Sequence, residues 1–418
     1  MALLRDLLYP PSRKGRLALE RICLAVLTVI FAIRFPLQFW LHPPFLMDFN
    51  VYHFAANLIA TGHGDALYRE AYSPGMLYMY APIWAVVWAP LALCSLHHAA
   101  VVWGSLSVGW LIAALWCANR LAELAGLRVW PWASVVAALL LSRILTTEFG
   151  NGQADLWWGG LVACFLVCEL RAHPHRAAAS LALSIALKLP SAIFLPYLLL
   201  TGRWRSAVRA AGWFLFLVVL GAALAHPRNP VFVLAEWGRC LIATGPPSMF
   251  RIGDQSFTAL MARLLTADGY GLNVASLTRP AVTMVAIIAE AGLFSLIVLP
   301  FAKLQRRVSA FLIDGALLVI LMALASPSCW LATHSVHLFP AALATTFLAT
   351  GPSPTRRDPW VLLFAGLTGL FSFLTHGKFL RAMGLVSWQG ETYVYLVLMI
   401  APLMALCLLA LLRRLRNA

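Results

Sequence analysis

The chain is short of charge. Aspartate and glutamate supply only 16 of its 418 residues, and charged side chains together make up 11% against 61% hydrophobic ones, at a mean hydropathy of +0.82. Such a composition excludes an ordinary soluble globular protein. Strand-like alternation of polar and apolar residues is missing too, which excludes a transmembrane β-barrel. Helices remain: about 20 apolar residues carry a helix across ~30 Å of hydrocarbon, where lipid offers no partner to an exposed peptide group. The expected fold class is an all-α polytopic membrane protein, residues 1–418 forming a single integral membrane domain with no soluble domain attached.

Other absences narrow the function. The 8 cysteines lie mostly inside apolar runs, and Cys164 and Cys168 are one helical turn apart in a span, so there is neither a disulfide framework nor a zinc signature. No carboxylate cluster is dense enough to require a divalent cation, so no metal and no cofactor are expected. The first apolar run, about residues 20–41, is too long for a signal-peptide core and lacks a small-residue cleavage site, so it should remain as a signal anchor. A transporter or lipid flippase also uses intramembrane charge, but it ordinarily shows two repeated halves, and no internal repeat is visible. A non-catalytic scaffold would leave the residues around Asp48 without purpose.

What is present is a surplus of basic residues. The formal net charge is +15. Lysine and arginine gather in short loops between apolar runs, a pattern that reports topology rather than nucleic-acid binding. The apolar runs fall at about 20–41, 76–96, 99–119, 131–147, 155–170, 177–200, 211–226, 281–301, 310–326, 330–350, 360–376 and 393–413. With "RRLR" at the C-terminal end placed in the cytoplasm, "TRRD" and "KLQRR" also fall inside. Residues 227–280 then form a long extracytosolic loop, and 42–75 form another.

Two places resist a simple count. The run "AAASLALSIALKLPSAIFLPYLLL" has basic loops on both sides. Split at Lys188-Leu189-Pro190 it gives two pieces of about 11 residues, each ~16 Å long, so it reads either as a re-entrant hairpin carrying Lys188 to a protein-lined cavity or as one kinked span. Parity also requires one of the two segments near 76–119 not to cross, and Pro82 and Pro90 point to the first.

Against this apolar background the few polar residues stand out. In "MDFNVYHFAANLIAT", Val51, Phe54, Ala55, Leu58 and Ile59 share a helical face, as expected of a helix lying in the membrane interface. Asp48 opens that helix, where a carboxylate can cap free backbone N–H groups, act as a base, or do both. "GNGQADLWW" offers Asn151, Gln153 and Asp155, although Asn-Gly also makes an ordinary turn. "RIGDQSFTALMARLL" offers Arg251, Asp254, Gln255 and Arg263, with Asp254 placed to cap a helix. "SPSCWLATHSVHLFP" offers Trp330, His334 and His337. Lys188 and Arg34 lie within apolar runs, where an ionisable group faces a cavity or a partner; Arg34, near a span end, can snorkel. An external carboxylate, a lysine at membrane depth and aromatic interfacial loops are what an enzyme with a lipid-phosphate donor would need.

The order of these motifs resembles the GT-C class of membrane glycosyltransferases, and within it the polyprenol-phosphate-mannose-dependent mannosyltransferases of glycosyltransferase family eighty-seven. "MDFNVYHFAANLIATGHGDALY" and "YMYAPIWAVVWAPLAL" are similar to that family's Asp-x-x-Val-Tyr, Leu-Tyr, Tyr-x-Pro and Ala-Pro-Leu series. "GNGQADL" resembles its Gly-Gln-x-Asn segment with Asp155 at the asparagine position, and "ALSIALKLPSAIFLPYLLL" its lysine-proline segment. "GDQSFTALMARLL" resembles its Asn-Gln-Ser segment, and Thr333 and His334 stand where it has a His-His doublet.

The resemblance implies a GT-C fold of about 12 transmembrane or re-entrant helices and a bacterial plasma-membrane location with a periplasmic site. It implies transfer of a sugar, mannose in the best-known members, from a polyprenyl-phosphate donor to a glycolipid or glycan acceptor, with anomeric inversion. Asp48 would be the general base. Lys188, His334 and Arg251 would bind the donor phosphate, and Tyr52, Tyr80, Gln153, Gln255 and Trp330 would contact substrate.

Overall fold

The computed structural model describes residues 12–41, 46–248, 254–267, 274–298, 308–327 and 329–350. Arg251 and the apolar runs expected at 360–376 and 393–413 lie outside them. The described chain is helical, its only β pairing a single bridge between Ala71 and Leu77. It divides into two compact units: one contains 30–111 and 147–248, the other 1–29, 112–146 and 249–418. The two units interleave along the chain, with no linker in the sequence to mark them.

Among the described residues, four helices have the length and apolarity to cross a membrane: α1 (Arg13–Leu41), α4 (Leu96–Leu124), α10 (Trp204–Ala225) and α13 (Arg279–Val298). A fifth span results if α5 (Ala133–Leu140) and α6 (Ser142–Asn151), bent by 68°, count as one. Within α1, Pro36 removes a backbone donor, and the helix absorbs the defect as a π-turn over Ile33–Leu37. The expected run at 76–96 yields only α3 (Pro82–Leu93), too short to cross and carrying Pro82 in its first turn. The run at 330–350 opens as a 3-10 turn, Leu331–His337, before α15 (Leu338–Thr350).

In the unit containing Asp48, α2 (Met47–Ala60) packs on α3, α8 (Pro174–Leu187) lies against both α7 (Asp155–Leu170) and α10, and α11 (Pro230–Ser248) also packs on α10. The face expected to meet lipid is turned inward instead: Val51, Ala55 and Leu58 are buried, and only Phe54 and Ile59 keep partial exposure. Helix α2 thus packs much of its apolar face against protein, α3 included.

The 177–200 run is broken where the sequence indicates. Helix α8 stops at Leu187, Lys188 is extended at φ −144° and ψ 120°, and α9 (Leu189–Leu200) begins with a 3-10 turn. A break leaves carbonyls without helical donors, and buried ones need partners. Ala81 N–H donates to the Ala186 carbonyl at 3.0 Å and the Trp84 indole N–H to Leu183 at 3.2 Å. Ser184 and Ser191, on either side of the break, are 2.7 Å apart through their hydroxyls, and the Trp158 indole donates to Ser191 at 2.5 Å. Protein groups thus take up the Leu183 and Ala186 carbonyls beside the break.

In the other unit, α12 (Phe257–Leu265) packs on α13, and α15 packs on α5 and α14 (Val308–Leu324). Glu20 is buried there in an ion pair with Arg120 at 2.6 Å and accepts from the Asn119 amide at 3.1 Å, so α1 and α4 share one polar tie in an apolar setting.

Candidate functional site

The site grows from the turn between α6 and α7. Gly152 takes φ +66° and lies against α2, where an added Cβ would come within 2.7 Å of the Phe49 Cβ and 3.3 Å of the Leu46 Cβ. That approach brings the next residue, Gln153, to Asp48. Its side-chain amide donates to Asp48 Oδ2 at 3.0 Å. No described residue donates to Oδ1. Asp48 is half-buried, and burial raises its carboxyl to about 6; Lys188 opposes the rise, Asp155 adds to it, and the Gln153 hydrogen bond opposes it. Asp48 does not cap α2, because Leu46 holds the cap position and no side chain bonds there. The α6–α7 turn packs over the helix start, and the carboxylate is turned to Gln153 instead.

Lys188 projects from the break toward the same place. Its ammonium pairs with Asp155, the first residue of α7, and lies 5.4 Å from the centre of the Trp158 ring. Asp155 is fully buried, while the Lys188 side chain keeps 14% of its surface. Glu148, also buried, accepts the Leu156 N–H at 2.9 Å and so ties the end of α6 to the start of α7. The sequence offers Asp155 without assigning it a role, and Glu148, just past the 131–147 apolar run, is signalled there only by the scarcity of acidic residues.

Tyr52 and Tyr80 form the aromatic side of the site. Their hydroxyls are 2.8 Å apart and their ring centres 5.3 Å. Behind them Trp88, Trp103 and Trp157 interlock, Trp103 and Trp157 stacking at 4.9 Å. Asp48, Tyr52, Tyr80, Gln153 and Lys188, five residues expected at the site, therefore share one unit.

Gln255, Trp330 and His334 assemble in the other unit. His334 is fully buried, its Nε2 lies 3.1 Å from the Gln255 side-chain oxygen, and Gln255 N–H donates to the Cys329 carbonyl at 2.6 Å. Trp330 is half-buried and caps the 3-10 turn, its N–H donating to the Thr333 hydroxyl at 3.2 Å. Helix α12 is capped by Ser256, whose hydroxyl accepts from Ala259 N–H at 3.0 Å, rather than by Asp254. Asp254 instead accepts Ser256 N–H at 2.7 Å and so shapes the turn that precedes the cap. Burial raises the Asp254 carboxyl to about 7, against the lowering influence of Ser256, Cys329 and Arg263.

A family model described as Glycosyltransferase family 87 matches residues 78–327. The chain belongs to glycosyltransferase family 87. This family 87 chain is 28% identical over 254 residues to the polyprenol-phosphate-mannose-dependent alpha-(1-2)-phosphatidylinositol mannoside mannosyltransferase of Mycobacterium tuberculosis (strain ATCC 25618 / H37Rv). That match takes in 54% of the family 87 chain and 56% of the relative, so the chain spans about half the length of the curated relative it matches. Among solved structures it is similar to ArnT from Cupriavidus metallidurans bound to undecaprenyl phosphate, with 12% identity and a TM-score of 0.37 over 95% of this chain and 77% of that one. The matched stretch of the family model contains Tyr80, Gln153, Lys188 and Gln255; Asp48, Trp330 and His334 fall outside it.

Proposed function

We propose that this protein transfers a sugar, mannose, from a polyprenyl-phosphate donor to a glycolipid or glycan acceptor at the extracytosolic face of a bacterial plasma membrane, within a GT-C fold. Asp48 is the general base. The observation that carries the reading is the half-buried Asp48 carboxylate, held at one oxygen by Gln153 and within electrostatic reach of Lys188, in a member of family 87.

The chemistry follows from charge. An acceptor hydroxyl is a poor nucleophile, so a carboxylate within hydrogen-bond reach must take its proton as the new bond to the anomeric carbon forms. On the opposite side of that carbon the bond to the phosphate oxygen breaks, and both electrons leave with polyprenyl phosphate. The phosphate is a weak base and needs a cation rather than an acid, a part given to Lys188. One displacement inverts the anomeric centre. Tyr52 and Tyr80 offer hydroxyls and an aromatic wall to the sugar, while Arg251, Gln255, Trp330 and His334 are assigned to substrate or donor phosphate on the family resemblance alone. No metal or cofactor takes part in this scheme.

Sidedness is supported by the connectivity of one unit. Helix α7 runs from Asp155 to the basic turn "RAHPHR", α8 returns to Lys188, and α9 leads to the basic segment containing Arg203, Arg205 and Arg209. The charged loops therefore share one end of these helices, and Lys188 and Asp155 share the other. The positive-inside rule assigns the loops to the cytoplasm, and hence the site to the far side.

The test is transfer itself. Purified protein is mixed with labelled polyprenyl-phosphate mannose and a membrane acceptor extract. Release of polyprenyl phosphate together with a labelled glycoside supports the reading. Donor translocation without a new glycosidic bond overturns it in favour of a flippase.

A further inference from the structure

Lys188, the cation assigned to the phosphate, is already engaged. Its ammonium pairs with Asp155, and the Trp158 ring lies 5.4 Å away. The break that presents it leaves its backbone extended, so the side chain is directed by these two neighbours rather than by a helix face. Asp155 itself cannot turn away: it is fully buried at the first position of α7, where the helix dipole favours a negative charge. Two further carboxylates, Asp48 and Glu148, lie within electrostatic reach of Lys188. An anion arriving at Lys188 therefore meets a cation whose charge is already largely balanced.

We propose that Asp155 is a positioning residue that holds the Lys188 ammonium in place and limits how tightly it grips phosphate. The inference rests on the reading of Lys188 as the donor's phosphate partner. Its consequence is selective. The donor is a phosphodiester with one negative charge, whereas the product is a phosphomonoester carrying about −1.5 to −2 near pH 7. Repulsion grows with ligand charge, so the buried Asp155 carboxylate weakens product more than donor and favours its release.

The experiment compares purified full-length Asp155→Asn, Asp155→Glu and Lys188→Ala with the unaltered protein. It reads the KM for polyprenyl-phosphate mannose, kcat, and the inhibition constant of undecaprenyl phosphate. Asparagine keeps an oxygen that can accept from the ammonium while removing the charge. Asp155→Asn should bind undecaprenyl phosphate about tenfold more tightly, with a smaller gain for donor and a lower kcat as release slows. Asp155→Glu keeps the charge in a shifted place, so its product affinity should stay within about twofold while kcat falls. Lys188→Ala should weaken both ligands. A loss of stability and rate in Asp155→Asn without selective tightening of product marks Asp155 as merely structural and overturns the inference. Tenfold tightening in Asp155→Glu overturns it as well, and that arm stands even if the asparagine variant does not fold. Unchanged phosphate binding in Lys188→Ala defeats the underlying reading, which is a distinct result.

Discussion

The Gln153 amide meets the Asp48 carboxylate at 3.0 Å although the two residues are 105 positions apart. The contact occupies one carboxylate oxygen and so sets the direction in which the other presents itself. It is made possible by Gly152, whose backbone bends the chain over the start of α2. A base that must meet a hydroxyl in one orientation gains from this, since misplacement by even an ångström is costly to rate.

Asp48→Asn should lower kcat by about 10²–10⁴ while leaving the protein folded and able to bind donor. Asparagine preserves shape and a contact to Gln153 but accepts no proton. Single-turnover transfer and donor binding, measured on the same preparation, separate the two effects; substantial turnover would remove Asp48 as the base.

The pH profile follows from the raised carboxyl. A base works ionised, so kcat/KM should climb through about 6, the value to which burial brings Asp48, and level off above it. Below that point the protonated form dominates and activity falls tenfold per unit. A flat profile between pH 5 and 7 would contradict the assignment.

Gln153→Leu removes the donor that favours ionised Asp48. The acid limb should move above 6, and kcat/KM should fall by about tenfold or more, in line with the roughly 1.5–3 kcal/mol of a hydrogen bond to a charged group. A loss of rate with an unmoved acid limb would indicate a contact with substrate instead.

Gly152→Ala tests the turn. The new Cβ would be strained by φ +66° and would lie 2.7 Å from the Phe49 Cβ, so either the turn or α2 must shift. Stability should fall by about 1–3 kcal/mol and transfer should fall with it, read by thermal unfolding and by rate.

Ala172→Gly should act in the opposite direction. Ala172 has φ +56° just past the end of α7, where His173 N–H reaches the Cys168 carbonyl at 2.9 Å in a Schellman-type turn. Glycine relieves the left-handed strain, and after its own entropic cost the net gain should be about 0.5–1 kcal/mol. A higher melting temperature with unchanged transfer is the expected readout.

Much of this was legible in the chain itself. Composition decided the membrane, because a chain with so little charge cannot be wetted as a globule. The Lys188-Leu189-Pro190 break was readable since proline lacks a donor and a lysine resists lipid, and Pro82 likewise marked the run too short to cross. Asp48 and its companions could be picked out because polar residues are rare here, so each demands a reason. Tertiary structure alone decided the partners. Local sequence could not say that the Gln153 amide reaches Asp48, that Lys188 is held by Asp155, or that α2 buries its apolar face on protein. Those outcomes depend on contacts between segments distant along the chain, and a side chain's pairing is set by which groups packing brings within about 3 Å, a quantity that no local pattern contains.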